Sequence, residues 1–271
     1  MNKLKIKLPV FFVVIAIFLN DLKAQKINSG ADIVVESSGL AKNAVFHNGR
    51  FITIKRSDGT FSNAYVAGPE NAKAGILFVH DFFGISDAAK ESVERLGALG
   101  YCTLAVDLYE GKSANTNDSA VLLMKAKDST ETAHILSAGI DYLKKPGRKL
   151  AAIGFSAGGI DAMKATLMNP GLFSATIIVY GGDYDKIEKS RLDKLKAPVL
   201  AITGSLDNWP LQAALNFLKN EKGKLLELYV YPGADHGYAQ PLFNGGKNYN
   251  AEATRVTWML MTDFLMRNLN F

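Results

Sequence analysis

Leu150-Ala151-Ala152-Ile153-Gly154-Phe155-Ser156-Ala157-Gly158-Gly159 is the stretch that decides the fold. Its first six residues form a short apolar run, the pattern of a strand buried on both faces. Gly158–Met168 then has helical spacing, so a strand is predicted to turn directly into a helix. The residues at the turn read G-x-S-x-G. A serine on so tight a turn sits in strained backbone, which requires small residues two before and two after it. The turn lifts Oγ above the strand end and leaves the N–H of Ala157, at the helix start, available to an oxyanion. The alternative is a glycine-rich turn whose serine is idle. The two readings part on whether a base and an acid follow in the chain.

Outward from this turn, Gly75–His80, Tyr101–Val106, Ala175–Tyr180, Val199–Thr203 and Leu225–Tyr231 are further short apolar runs. Helical spacing occupies Ala88–Leu99, Asp118–Lys145 (in one piece or two), Leu211–Leu218 and Ala251–Asn268. Before them, Ile52 and Ile54 alternate with Phe51, Thr53 and Lys55. The turn Ser57-Asp58-Gly59-Thr60 then leads to a returning strand over Ser62–Ala67. An opening antiparallel hairpin is predicted, followed by an α/β domain with a mostly parallel central sheet and helices on both faces. Function in such a sheet belongs at the carboxyl ends of its strands.

The N-terminus reads differently. Lys3, Lys5 and Lys7 precede an unbroken apolar run, Leu8–Leu19, and Leu22 and Ala24 stand before Gln25. This is the three-part pattern of a secretory signal peptide over residues 1–24, cleaved after Ala24. The run has 12 residues, against the roughly 20 a membrane-spanning helix needs; the alternative is an uncleaved anchor. The expectation is an exported, periplasmic or secreted protein made of a single domain, residues 25–271, with no membrane association once the signal is gone. The full chain of 271 residues carries a net charge of +5, and without the signal this falls to +2. No basic block with interleaved aromatics remains, so nucleic-acid binding is not expected. The single cysteine, Cys102, excludes a disulfide scaffold, and with four histidines it leaves no zinc-finger pattern. No metal or cofactor is expected.

A serine nucleophile needs a base. Of the four histidines, His47 lies before the sheet, His134 inside a helix, and His80 at the end of the first core strand. His236 lies in the loop Pro232-Gly233-Ala234-Asp235-His236-Gly237 after the last strand. The fold built on this elbow runs serine, acid, histidine along the chain, and this favours His236. The acid must lie between the two. Asp207, after the strand Val199–Thr203, is favoured over Asp183 and Asp185, with Asp235 a turn residue. The loop after the first core strand, His80-Asp81-Phe82-Phe83-Gly84, offers the Phe82 N–H as a second oxyanion donor. Phe82, Phe83, Trp209 and Tyr238 belong to strand-end loops. They are expected to line an apolar pocket over Ser156, with simple core packing as the alternative. Cys102 reads as an inert buried thiol.

His80–Gly84 with the following helix and Gly100-Tyr101, the strand end Val106-Asp107-Leu108-Tyr109, the elbow Gly154–Gly159, and His236-Gly237-Tyr238 before Asn248-Tyr249-Asn250 together resemble the dienelactone hydrolase family of the α/β hydrolases. The likeness spans about residues 50–268. It implies the α/β-hydrolase fold, a triad of Ser156, Asp207 and His236, oxyanion donors at Phe82 and Ala157, and Asp81 among the substrate-contacting residues. The chain departs from the family in three places. The founding enzymes use a cysteine nucleophile where this chain has Ser156. They carry a glutamate where it has Asp81. They also bind a substrate carboxylate with two arginines; Gln240 stands in place of one, and no arginine occurs from Tyr101 to Gly147 to supply the other. A buried carboxylate without a cationic partner is costly. The expected substrate is therefore a small-molecule ester or lactone other than a dienelactone anion, cleaved through an acyl-enzyme. The alternatives are an exported peptidase or acyltransferase on the same triad, and a non-catalytic ligand-binding relative.

Overall fold

A computed structural model describes residues 49–269. The signal-peptide reading, the lead-in and His47 lie outside the described residues. The described residues form eight strands: β1 (Arg50–Lys55), β2 (Phe61–Ala67), β3 (Ala74–Val79), β4 (Cys102–Val106), β5 (Lys149–Phe155), β6 (Phe173–Val179), β7 (Val199–Gly204) and β8 (Leu226–Tyr231). Seven helices accompany them: α1 (Asp87–Ala98), α2 (Asn117–Ala126), α3 (Ser129–Leu143), α4 (Gly158–Met168), α5 (Lys189–Leu192), α6 (Asn208–Leu218) and α7 (Ala251–Leu269). The long helical stretch after β4 is thus in two pieces. Lys127 ends the first, and Asp128 caps the second by accepting from the N–H groups of Thr130 and Glu131.

The eight strands make one sheet in the order β1-β2-β4-β3-β5-β6-β7-β8. β1 and β2 form the expected antiparallel hairpin, β2 runs antiparallel to β4, and every pairing from β4 to β8 is parallel. Alternation along the central strands explains the two-faced burial. Ile76 and Phe78 of β3 and Ile153 and Phe155 of β5 pack with α1 and α7 on one face. Leu77 and Val79 of β3 and Leu150 and Ala152 of β5 pack with α3 and α4 on the other. This is the α/β-hydrolase architecture, as the sequence predicts. Cys102 lies in the second of these layers, and burial raises its thiol pKa.

One feature of the strand order positions the site. From β3 the chain goes to β4 on one side, and β5 then lies on the other side of β3. The loops leaving β3 and β5 therefore diverge and leave a crevice at their carboxyl ends, the place where open α/β sheets bind ligands.

Candidate active site

Ser156 occupies the crevice between β3 and β5, at the turn from β5 into α4, with φ at +49°. Side chains other than glycine rarely hold this left-handed conformation, and it is sustained here by what surrounds it. The Ser156 N–H donates to the Val179 carbonyl at 2.9 Å, and the Gly159 N–H donates back to the Ser156 carbonyl at 2.9 Å. The two flanking glycines are steric requirements. A Cβ on Gly154 would lie 2.2 Å from the Gly158 carbonyl oxygen, and one on Gly158 would lie 2.4 Å from that of Val79. The turn is thus wedged against the end of β3, and this brings the loop after β3 and the start of α4 together.

The structure brings Ser156, His236 and Asp207 into one line. Ser156 Oγ is 2.9 Å from His236 Nε2, and His236 Nδ1 is 2.6 Å from Asp207 Oδ2. Asp207 is buried just before α6. The His236 loop is held by Asn248 Nδ2, which donates to the His236 carbonyl at 2.8 Å, and by the Leu206 N–H donating to the Ala234 carbonyl at 3.0 Å. The competing acids face elsewhere. Asp183 accepts from Trp209 Nε1 at 2.9 Å and pairs with Lys186. Asp185 accepts from Asn216, and the exposed Asp235 accepts from the His236 N–H. Among the other histidines, His134 is half-exposed on α3 beside Glu131, and His80 is buried.

Around this line, the expected pocket residues separate. Phe82 is half-buried, its ring 5.8 Å from that of Phe243. Trp209 is partly exposed, with its ring 5.6 Å from the His236 ring. Trp209 thus borders His236, and Phe82 belongs to the loop after β3. Phe83 and Tyr238, by contrast, are completely buried. Phe83 packs with Ala114 and Ala120, and Tyr238 donates or accepts one hydrogen bond with Thr257 and stacks edge-on against Tyr180. The expectation that these two line the pocket is corrected: both side chains are taken up by packing inside the domain. Two aromatic neighbours of His236 were missed. Phe243 and Tyr180 bring their rings to 5.2 Å and 5.5 Å from that of His236. Tyr180 was legible as the residue just after β6, whereas Phe243 lies in a loop with no periodicity to mark it.

No hydrogen bond of the described residues uses the N–H of Phe82 or of Ala157. Both amides are without a protein acceptor. Asp81 is buried, accepting from the Phe83 N–H at 2.9 Å and from Gln240 Nε2 at 2.7 Å. Burial outweighs those bonds and the nearby His236, raising its pKa to about 6. A carboxyl whose folded pKa exceeds its unfolded value lends stability that is complete below about pH 4 and is lost as pH rises to about 6. Asp81→Asn should therefore gain on the parent chain in unfolding free energy between pH 4 and 7, by on the order of 3 kcal/mol. Urea unfolding at several pH values measures this; a pH-independent difference would show that Asp81 titrates normally.

Comparison with known proteins bears on the family and the fold. Residues 62–269 match the family model described as the dienelactone hydrolase family. The chain is 30% identical over 255 residues to the "Putative carboxymethylenebutenolidase" of Saccharolobus solfataricus, covering 78% of this chain and 96% of that protein. It is 26% identical over 216 residues to carboxymethylenebutenolidase 1 of Cupriavidus pinatubonensis, covering 74% of this chain and 89% of that one. Among solved structures, a dienelactone hydrolase-like promiscuous phosphotriesterase from metagenomic libraries superposes with a TM-score of 0.68 at 21% identity, over 82% of this chain and all of its own. At that identity the likeness is one of fold.

Proposed function

Because the chain belongs to the dienelactone hydrolase family, whose members are hydrolases acting on ester bonds, we propose that it cleaves a neutral carboxylic ester or lactone through an acyl-enzyme on Ser156. The observation that carries the reading is the unbroken hydrogen-bonded line from Ser156 through His236 to Asp207. His236 Nε2 takes the hydroxyl proton as Ser156 Oγ attacks the ester carbonyl. Asp207 holds the Nδ1–H and stabilises the imidazolium that forms. The N–H groups of Phe82 and Ala157 receive the oxyanion. The alcohol leaves with the proton from His236, and water repeats the sequence to release the acid.

The preference for a neutral substrate rests on charge. The Gln240 amide, standing where founding members have a carboxylate-binding arginine, is committed to Asp81. An anionic substrate would meet a second carboxyl there instead of a cation. Export is proposed on the residue 1–24 pattern alone.

One experiment tests both statements. The protein is expressed with its own N-terminus, recovered from the exported fraction, treated with a fluorophosphonate and digested for mass spectrometry. The expected result is an N-terminal peptide beginning at Gln25 and a single phosphonyl adduct on Ser156. An unlabelled serine would mark a ligand-binding relative and overturn the catalytic reading, and retention of residues 1–24 in the cell would overturn the export reading.

A further inference from the structure

Among the described residues, His80 is the one buried histidine in contact with the proposed oxyanion loop that the mechanism above does not use. It follows β3 and lies with its ring 4.8 Å from that of Tyr109. Its Nδ1 is 2.6 Å from the Asp81 carbonyl oxygen, and the Leu108 N–H reaches its Nε2 at 3.2 Å. These two partners leave no freedom of tautomer. A carbonyl oxygen only accepts, so Nδ1 must carry the proton; an amide N–H only donates, so Nε2 must be bare. The ring is therefore neutral, and its burial, by holding its pKa below the usual range, keeps it so.

The Asp81 carbonyl and the Phe82 N–H belong to the same peptide unit. That unit is planar and trans, so fixing the direction of the C=O fixes the direction of the N–H. A hydrogen bond accepted at the oxygen also polarises the unit and strengthens the N–H as a donor. The carbonyl accepts from the Gly84 N–H as well, at 3.3 Å, and the Asp81 carboxyl holds the Phe83 N–H at 2.9 Å. These two bonds shape the loop on its far side. Only His80 ties the peptide to the neighbouring strand end, through Leu108 just beyond β4.

We propose that His80 is a positioning residue of the hydrolytic site: its Nδ1–H grips the Asp81 carbonyl and thereby aims the Phe82 N–H at the oxyanion. The inference rests on the reading of Ser156 as nucleophile and adds the element that sets half of its oxyanion hole.

Two substitutions separate this role from simple packing. In His80→Asn the side-chain amide nitrogen falls where Nδ1 lies and can still donate to the Asp81 carbonyl. In His80→Gln the amide reaches the Nε2 position and leaves that carbonyl without its donor. With p-nitrophenyl acetate, His80→Gln should lose roughly 10- to 100-fold in kcat, short of the 10²–10³-fold typical of deleting an oxyanion donor outright. KM should stay within about twofold, and the acidic limb of the pH profile should not move. His80→Asn should recover most of that loss. Equal losses in the two variants, or a lowered melting temperature with kcat intact, would overturn the proposal. The unmutated protein supplies a measurement free of folding effects: imidazole ¹⁵N shifts should show His80 as the Nδ1–H tautomer throughout pH 5–9, and an Nε2–H form or a titration would overturn it. Ser156→Ala is assayed in parallel. If that variant remains active the reading of the nucleophile fails, whereas if it is dead and His80→Gln is not, only the role of His80 fails.

Discussion

Ser156→Ala is expected to lower kcat for a short p-nitrophenyl ester by roughly 10⁴- to 10⁶-fold, the range seen when an activated nucleophile is deleted. Its melting temperature should change little. The hydroxyl makes one side-chain bond, to His236, while the two backbone bonds that hold the turn belong to atoms alanine retains. The chain's single cysteine cannot replace it. Cys102 sits in β4 among Leu104, Leu77 and Leu150, away from the strand-end crevice, with its thiol pKa raised by burial. Steady-state kinetics with circular dichroism on the same samples measures both effects. Activity within tenfold of the parent would remove Ser156 from the mechanism.

Asp207→Asn is expected to cost roughly 10³- to 10⁴-fold in kcat, because an amide cannot hold the Nδ1–H tautomer that leaves Nε2 free to accept the serine proton. The same change at Asp183, Asp185 or Asp235 should leave kcat within about threefold, because each of those carboxylates is bonded to Trp209, Asn216 or the His236 backbone N–H and not to the imidazole ring. The four variants form one experiment read against one parent. A large loss at Asp183 with little at Asp207 would mean that the loop after β6 rearranges to supply the acid.

The parts of the site that the sequence disclosed are those in which backbone geometry restricts residue type. The elbow tolerates only small residues at 154 and 158, since a side chain there meets main-chain atoms at 2.2–2.4 Å, and that requirement is visible as G-x-S-x-G. The central strands are legible for a related reason: β3 and β5 are covered on both faces, so they read as uninterrupted apolar runs. The pocket walls have no such rule. Phe82 and Phe83 are neighbours of the same type, yet one borders the crevice and the other is fully buried, and no period separates them in a loop. The Asp81–Gln240 pair joins residues 159 positions apart and the bond from Leu108 to His80 spans 28, so neither leaves a local pattern. The four-residue α5 was likewise unmarked, being too short to show helical periodicity.

The burial of Cys102 has a practical consequence. It is the chain's single cysteine, and it is closed inside the sheet layer with its thiol held in the protonated form. The folded protein is therefore nearly blank to maleimides and to spin-label reagents, which react with exposed thiolates. A cysteine introduced on the exposed rim, for example at Leu206 or Leu242, would be the one site such a reagent finds. With a cysteine at each of the two positions, distances and motions across the mouth of the crevice become measurable without first removing a native thiol.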